Sequence, residues 1–136
     1  MLSSYSYRVI KSSWGISIDI VGEYTSMSTY NDNDKSFCQV VNSGLWLIVK
    51  DNNLSKNELK YLIDGLKMVS DLITSKSLYK NDTLVIISSV SYSLCDYQEE
   101  GLTPAVIKWA ANMFNFEAPR ILVSFNKETN KYEFTY

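Results

Sequence analysis

The stretch Ser55-Lys56-Asn57-Glu58-Leu59-Lys60-Tyr61-Leu62-Ile63-Asp64-Gly65-Leu66-Lys67-Met68-Val69-Ser70-Asp71-Leu72-Ile73 decides the fold. Ser55 followed three positions later by Glu58 is the capping-box pattern, in which each side chain satisfies a free backbone donor of the other residue. Leu59, Leu62, Ile63, Leu66, Val69 and Ile73 then recur at helical spacing, while Lys56, Lys60, Asp64, Lys67 and Asp71 take the other positions. The spacing predicts one amphipathic helix from Lys56 to about Ile73. Gly65 lies inside it and costs about 1 kcal/mol relative to Ala, so close packing against a sheet is expected there.

Before this helix the pattern has a period of two. Tyr5, Tyr7 and Val9 alternate with polar residues, as do Ile16, Ile18 and Ile20, the second run lying between Gly15 and Gly22. Residues 23–36 are polar and predict a long loop, Phe37 to Val41 a short strand, and Leu45 to Val49 a strand buried on both faces. After the helix, Asn81-Asp82 predicts a turn and Thr83 to Leu94 a long strand. Thr103-Pro104 supplies an N-cap residue and a proline at the first helical position. Val106, Ile107, Ala110, Met113 and Phe114 form the apolar stripe that follows, with Pro119 beyond it. Ile121, Val123 and Phe125, then Tyr132, Phe134 and Tyr136, predict a closing hairpin through Lys127-Glu128-Thr129-Asn130. Strands grouped around two separated helices predict an α+β fold: a mainly antiparallel sheet, two principal helices packed on it, and a C-terminal β-hairpin. The absence of repeated β-α units argues against a doubly wound nucleotide fold.

Composition bounds the chemistry. The chain has 136 residues, which predicts a single domain spanning residues 1–136. It has no histidine, so a Ser-His-Asp or Cys-His nucleophile system is excluded. Its two cysteines, Cys38 and Cys95, cannot supply a four-ligand zinc site and read as small hydrophobes, although a disulfide between them is not excluded by sequence. The five glycines form no phosphate-binding loop. Thirteen basic residues, only two of them arginine, are outnumbered by fifteen acidic ones, which argues against wrapping nucleic acid. No basic segment followed by an apolar run opens the chain, and no apolar run is long enough to span a bilayer. The reading is a cytoplasmic, non-enzymatic chain with no cofactor and no metal.

The net charge of −2 hides a pattern. Residues 12–44 hold Asp19, Glu23, Asp32 and Asp34 against Lys35, and residues 82–117 hold Asp82, Asp96, Glu99, Glu100 and Glu117 against Lys108. Trp14, Tyr24, Tyr30 and Tyr97 lie among them, and Trp46 and Trp109 read as core. Asp96, Glu99 and Glu100 admit three readings: carboxylates stabilised at a helix N-terminus, a carboxylate acid/base or metal site, or part of a partner-binding surface.

The stretch Glu99 to Phe134, E-E-G-L-T-P-A-V-I-K-W-A-A-N-M-F-N-F-E-A-P-R-I-L-V-S-F-N-K-E-T-N-K-Y-E-F, covers about a quarter of the chain. It resembles the C-terminal part of bacterial immunity proteins of contact-dependent growth inhibition and related polymorphic toxin systems. The resemblance implies a protein that binds and neutralises one cognate toxin domain, often a nuclease and so basic around its active site. On this reading Tyr30, Asp32, Asp34, Asp96, Tyr97, Glu99 and Glu100 contribute to the docking surface, and the protein is a monomer. The alternative is a small acidic secretion chaperone that wraps an effector segment as a dimer. Such chaperones usually begin with a helix, and here strands come first.

Overall fold

A computed structural model describes residues 2–31 and 38–136. Asp32 and Asp34 therefore lie outside the described residues. The main sheet has five strands: β1 (Ser3–Ile10), β2 (Gly15–Ser26), β3 (Gln39–Asn42), β4 (Leu45–Val49) and β5 (Thr83–Tyr92), in the order β1-β2-β5-β4-β3. The α+β class is as expected, and three of the four strand pairs are antiparallel, but β4 and β5 run parallel, so the sheet is mixed. The connection between these parallel neighbours contains α1 (Lys56–Met68) and α2 (Ser70–Lys76), as parallel pairing requires a crossover. After β5 come α3 (Leu102–Phe114) and a separate hairpin of β6 (Leu122–Asn126) and β7 (Lys131–Thr135).

Three elements differ from the sequence reading. The predicted single helix breaks at Val69, whose φ of −117° and ψ of 17° are not helical, and Ser70 restarts it as α2. The polar stretch after Gly22 is not all loop, because β2 runs on to Ser26 along β5. Gly22 lies within that strand. A Cβ there would fall 2.9 Å from the Trp109 ring and 2.8 Å from Ile86 O, so the missing side chain lets the indole lie on the backbone. Opposite it, Val21 pairs with Ser89 and Gly22 with Ile87. Ser88 is thus a bulge, and it shifts Val90 onto the same core face as Val85 and Ile87. Finally, α3 starts at Leu102, and Thr103 does not cap it: its hydroxyl donates to Tyr61 O on α1 at 2.8 Å.

The core lies between one sheet face and the helices. Ile16, Ile18, Ile20, Leu45, Leu47, Val85 and Ile87 meet Leu62, Leu66, Leu102, Val106 and Trp109, all of them buried. Gly65 serves the contact between α1 and α3, not one with the sheet, since a Cβ there would lie 2.8 Å from Thr103 O. Trp109 is fully buried and donates its indole N–H to Ser3 O at 3.0 Å, which ties α3 to β1. Trp46 is only partly buried. It packs on a second, smaller cluster of Ile48, Leu84 and Ile86 on the other face. Among the described residues no helix is long and apolar enough to cross a membrane.

The hairpin is pinned at Tyr132. The buried Gln98 side chain donates to Tyr132 O and accepts from Tyr132 N–H, both at 2.8 Å, so one amide substitutes for a neighbouring strand. The Tyr132 hydroxyl donates to Trp14 O at 2.6 Å and accepts from Lys11 N–H at 2.8 Å. Trp14 packs edge-on against Phe125 and Tyr132. The hairpin is therefore held against the β1–β2 turn by both polar and aromatic contacts.

Candidate functional site

The predicted site residues do not form one surface. Tyr30 packs against the Ile48–Leu84–Ile86 cluster on the sheet face away from the helices. Asp96 is exposed at the end of a 3-10 turn and borders a small pocket with Arg8, Ile10 and Gly15. Glu99 and Glu100 lie in a second 3-10 turn leading into α3, on the side that faces Tyr61. The aromatic residues read as interleaved with the acidic regions are engaged with their neighbours: Trp14 with the hairpin, Tyr24 with Phe114 and Tyr79, and Tyr97 with Tyr92.

Tyr97 belongs to a closed cluster around Glu58. Glu58 occupies the third position of α1 and completes the capping box, accepting from Ser55 N–H at 2.9 Å, while Ser55 Oγ accepts from Glu58 N–H at 3.1 Å. Its other oxygen accepts from Tyr92 Oη at 3.0 Å and Tyr97 Oη at 2.5 Å, and the two phenol rings stack with centroids 3.6 Å apart. Glu58 itself is only 7% exposed. Burial alone would raise its pKa, but the Ser55 N–H and the two phenols outweigh burial and hold it below the usual carboxylate value. Burial and the adjoining carboxylate push both tyrosines up. Both Glu58 oxygens and both phenol O–H groups are engaged, so the cluster locks the helix start to β5 and the connector.

An open site lies on the other side of the same connector. A cavity of about 570 Å³ is walled by Tyr61, Asp64 and Met68 of α1, by Glu100 and Thr103, and by residues 132–136 at the end of the hairpin. It brings together three carboxylates, Asp64, Glu100 and Glu133, and four rings, Tyr61, Tyr132, Phe134 and Tyr136, and no lysine or arginine lines it. Asp64 has a loose partner in Lys60 at 3.9 Å, itself largely exposed, and Glu133 accepts from Asn126 at 3.2 Å. Glu100 makes no hydrogen bond or ion pair with any described residue. Burial raises the Tyr61 phenol, and the negative charges of Glu100, Glu99 and Asp64 raise it further. Tyr136 is pushed up to about 12 by burial. These phenols stay protonated at neutral pH and face a negative field.

Of the five predicted residues that are described, only Glu100 lines this cleft, with Glu99 acting on it through Tyr61. Tyr61, Asp64, Glu133, Phe134 and Tyr136 were not singled out. The alternation of the hairpin marks Tyr132, Phe134 and Tyr136 as one face, but no local signal places that face beside α1. Cys38 and Cys95 are not joined by a disulfide, and no group of His, Cys, Asp or Glu able to hold a metal ion is found among the described residues. Compared with known proteins, the chain matches no known family, no curated protein and no solved structure.

Proposed function

We propose that this chain is a non-catalytic immunity protein that binds and neutralises a basic toxin domain, and that the α1–α3–β7 cleft is its docking site. The observation that carries this reading is the cleft's composition: three carboxylates and four aromatic rings with no basic residue among the lining side chains. Carboxylates at the rim of an interface steer a cationic partner and fix its orientation, while rings supply rigid contact area at little entropic cost. A nuclease toxin fits as the partner class, because a surface that binds phosphates is basic and the cleft offers the opposite charge. The acidic site is thus narrower than the sequence reading had it, and Asp96 and Tyr97 fall outside it. The chaperone alternative has less support, since the site is a cleft walled by three segments of the chain and not one extended groove.

The test uses the protein encoded by the adjacent gene, with binding followed by calorimetry and stopped-flow association. Asp64→Lys and Glu100→Lys together should weaken binding at least about tenfold, mostly through slower association that depends on salt. Asp96→Lys, on the other side of the connector, should leave binding unchanged. Equal affinity for wild type and the double variant would remove the cleft from the interface. Failure of the neighbouring protein to bind at all would remove the toxin-neutralising role.

A further inference from the structure

The main sheet ends differently on its two sides. β3 closes one side with four residues and a break in register between Val40 and Asn42. β1 closes the other with eight residues paired to β2 without a break. No described strand pairs with the outer side of β1. Exposed edges are normally blunted by short length, proline, lysine or a bulge. β1, Ser3-Ser4-Tyr5-Ser6-Tyr7-Arg8-Val9-Ile10, has none of these. Its one charge, Arg8, is turned back onto Asp19 of β2 at 3.0 Å.

Arg8 also reveals which backbone groups face outward. Its Nη1 lies 3.2 Å from Tyr7 O and 3.5 Å from Ile18 O. Tyr7 and Ile18 are register partners, so their carbonyls meet in the space between the two strands. Alternate residues of an antiparallel ladder turn their N–H and C=O to opposite sides. Ser4, Ser6 and Arg8 therefore direct theirs away from β2, toward the open edge. The side chains of Leu2, Ser4, Ser6, Arg8 and Ile10 are all exposed, and the large apolar ones at the two ends, Leu2 and Ile10, are 55% and 80% exposed.

We propose that β1 pairs antiparallel with β1 of a second copy of this chain, about a twofold axis at Ser6, so that two main sheets become one continuous sheet. The register that overlaps the whole stretch from Leu2 to Ile10 sets Leu2 opposite Ile10 of the second copy, Ser4 opposite its Arg8 and Ser6 opposite its Ser6. On the helix side it sets Tyr5 opposite Tyr7 of the second copy. The two most exposed apolar positions of the strand then cover each other, and no like charges meet directly. A slip of two residues one way sets Leu2 against Arg8, and the other way sets Ile10 against Ser4, losing the apolar pair in each case. The sequence reading favours a monomer; the free, unprotected and self-complementary edge favours a dimer. The inference rests on β1 alone and does not depend on the cleft.

Light scattering coupled to size exclusion, from micromolar to millimolar protein, should show the mass rising from 15.6 kDa toward twice that value. Hydrogen exchange should slow with concentration at the amides of Ser4, Ser6 and Arg8, while those of Tyr5 and Tyr7 stay equally protected throughout. Ser6→Pro removes the outward N–H at the axis, and an edge position tolerates proline, so this variant should be monomeric with an unchanged circular dichroism spectrum, its melting point lowered only by the loss of the Ser6 hydroxyl's bond to Asp19. Leu2→Lys and Ile10→Glu should each weaken the dimer several-fold, and the two together should restore it by setting opposite charges across the axis. A monomer at every concentration, or a Ser6→Pro variant that still dimerises, overturns the proposal. Failure of the double variant to recover overturns the register. Concentration-independent exchange at the outward amides that slows only when another protein is added assigns the edge to that protein instead and also overturns the proposal.

Discussion

Two carboxylates on either side of one connector meet tyrosines in opposite ways. Glu58 is enclosed, with both oxygens committed to Ser55, Tyr92 and Tyr97. Glu100 faces Tyr61 across an open cavity and has no partner of its own. The residue types are the same, and the difference lies in what surrounds them. A helix start that needs a capping acceptor and two partly buried phenols that need one take both oxygens of the first carboxylate. The second sits where a hairpin, a helix and a turn converge without closing. In this molecule an acid–aromatic pairing leaves room for a ligand only where its hydrogen bonds are left unmade.

The comparison is broken most directly at Glu58. Glu58→Ala removes the capping box and leaves two phenols without their acceptor, and should cost about 3 kcal/mol in urea unfolding. If the loss is under about 1 kcal/mol, the cluster does not hold the fold as described. The acid limb of stability gives a second reading. Because the folded Glu58 is held below its ordinary value of 4.5, its contribution is complete above that pH and drains away as pH falls through the lowered folded value. Wild type should therefore lose stability toward acid more steeply than Glu58→Gln, which has no such proton to take up, and parallel limbs would contradict the assignment. Tyr97→Phe removes one donor and leaves Tyr92 in place, for an expected loss of about 1 kcal/mol with the same fluorescence and helical content. The smallest effect is expected on the open side. Glu100→Gln and Asp64→Asn, alone or together, should change unfolding by no more than about 0.5 kcal/mol, while weakening the basic partner.

The elements were legible where the pattern is local. The capping box at Ser55 and Glu58, the alternation of Ile16, Ile18 and Ile20, and the hairpin at Lys127–Asn130 each state their structure within a few residues. What escaped depends on distant neighbours. The break at Val69 interrupts an apolar spacing that continues unchanged through Ile73. Gly22 resembles a strand terminator until the Trp109 ring is seen lying on it. Thr103 has the spacing of a cap, yet spends its hydroxyl on a carbonyl of another helix. The same limit applies to the candidate site. Charge runs show that residues 96–100 are acidic, but not that Asp96 turns toward β1 while Glu100 turns toward α1. The cleft draws on three segments of the chain, and no one-dimensional pattern joins Asp64 to Glu100 and Glu133.

The side-chain amide of Gln98 that stands in for a strand beside Tyr132 has a consequence for timing. It belongs to a segment made well before β7, so it waits as a half-formed ladder until the last strand arrives. One wall of the cleft therefore follows the main sheet and α1 to α3 in chain order, and is synthesised after they are available to fold. Until then most of the core is in place but the cleft is not. The cleft is completed in one late step, when the amide closes on Tyr132, and exchange at the Tyr132 amide reads out that step directly.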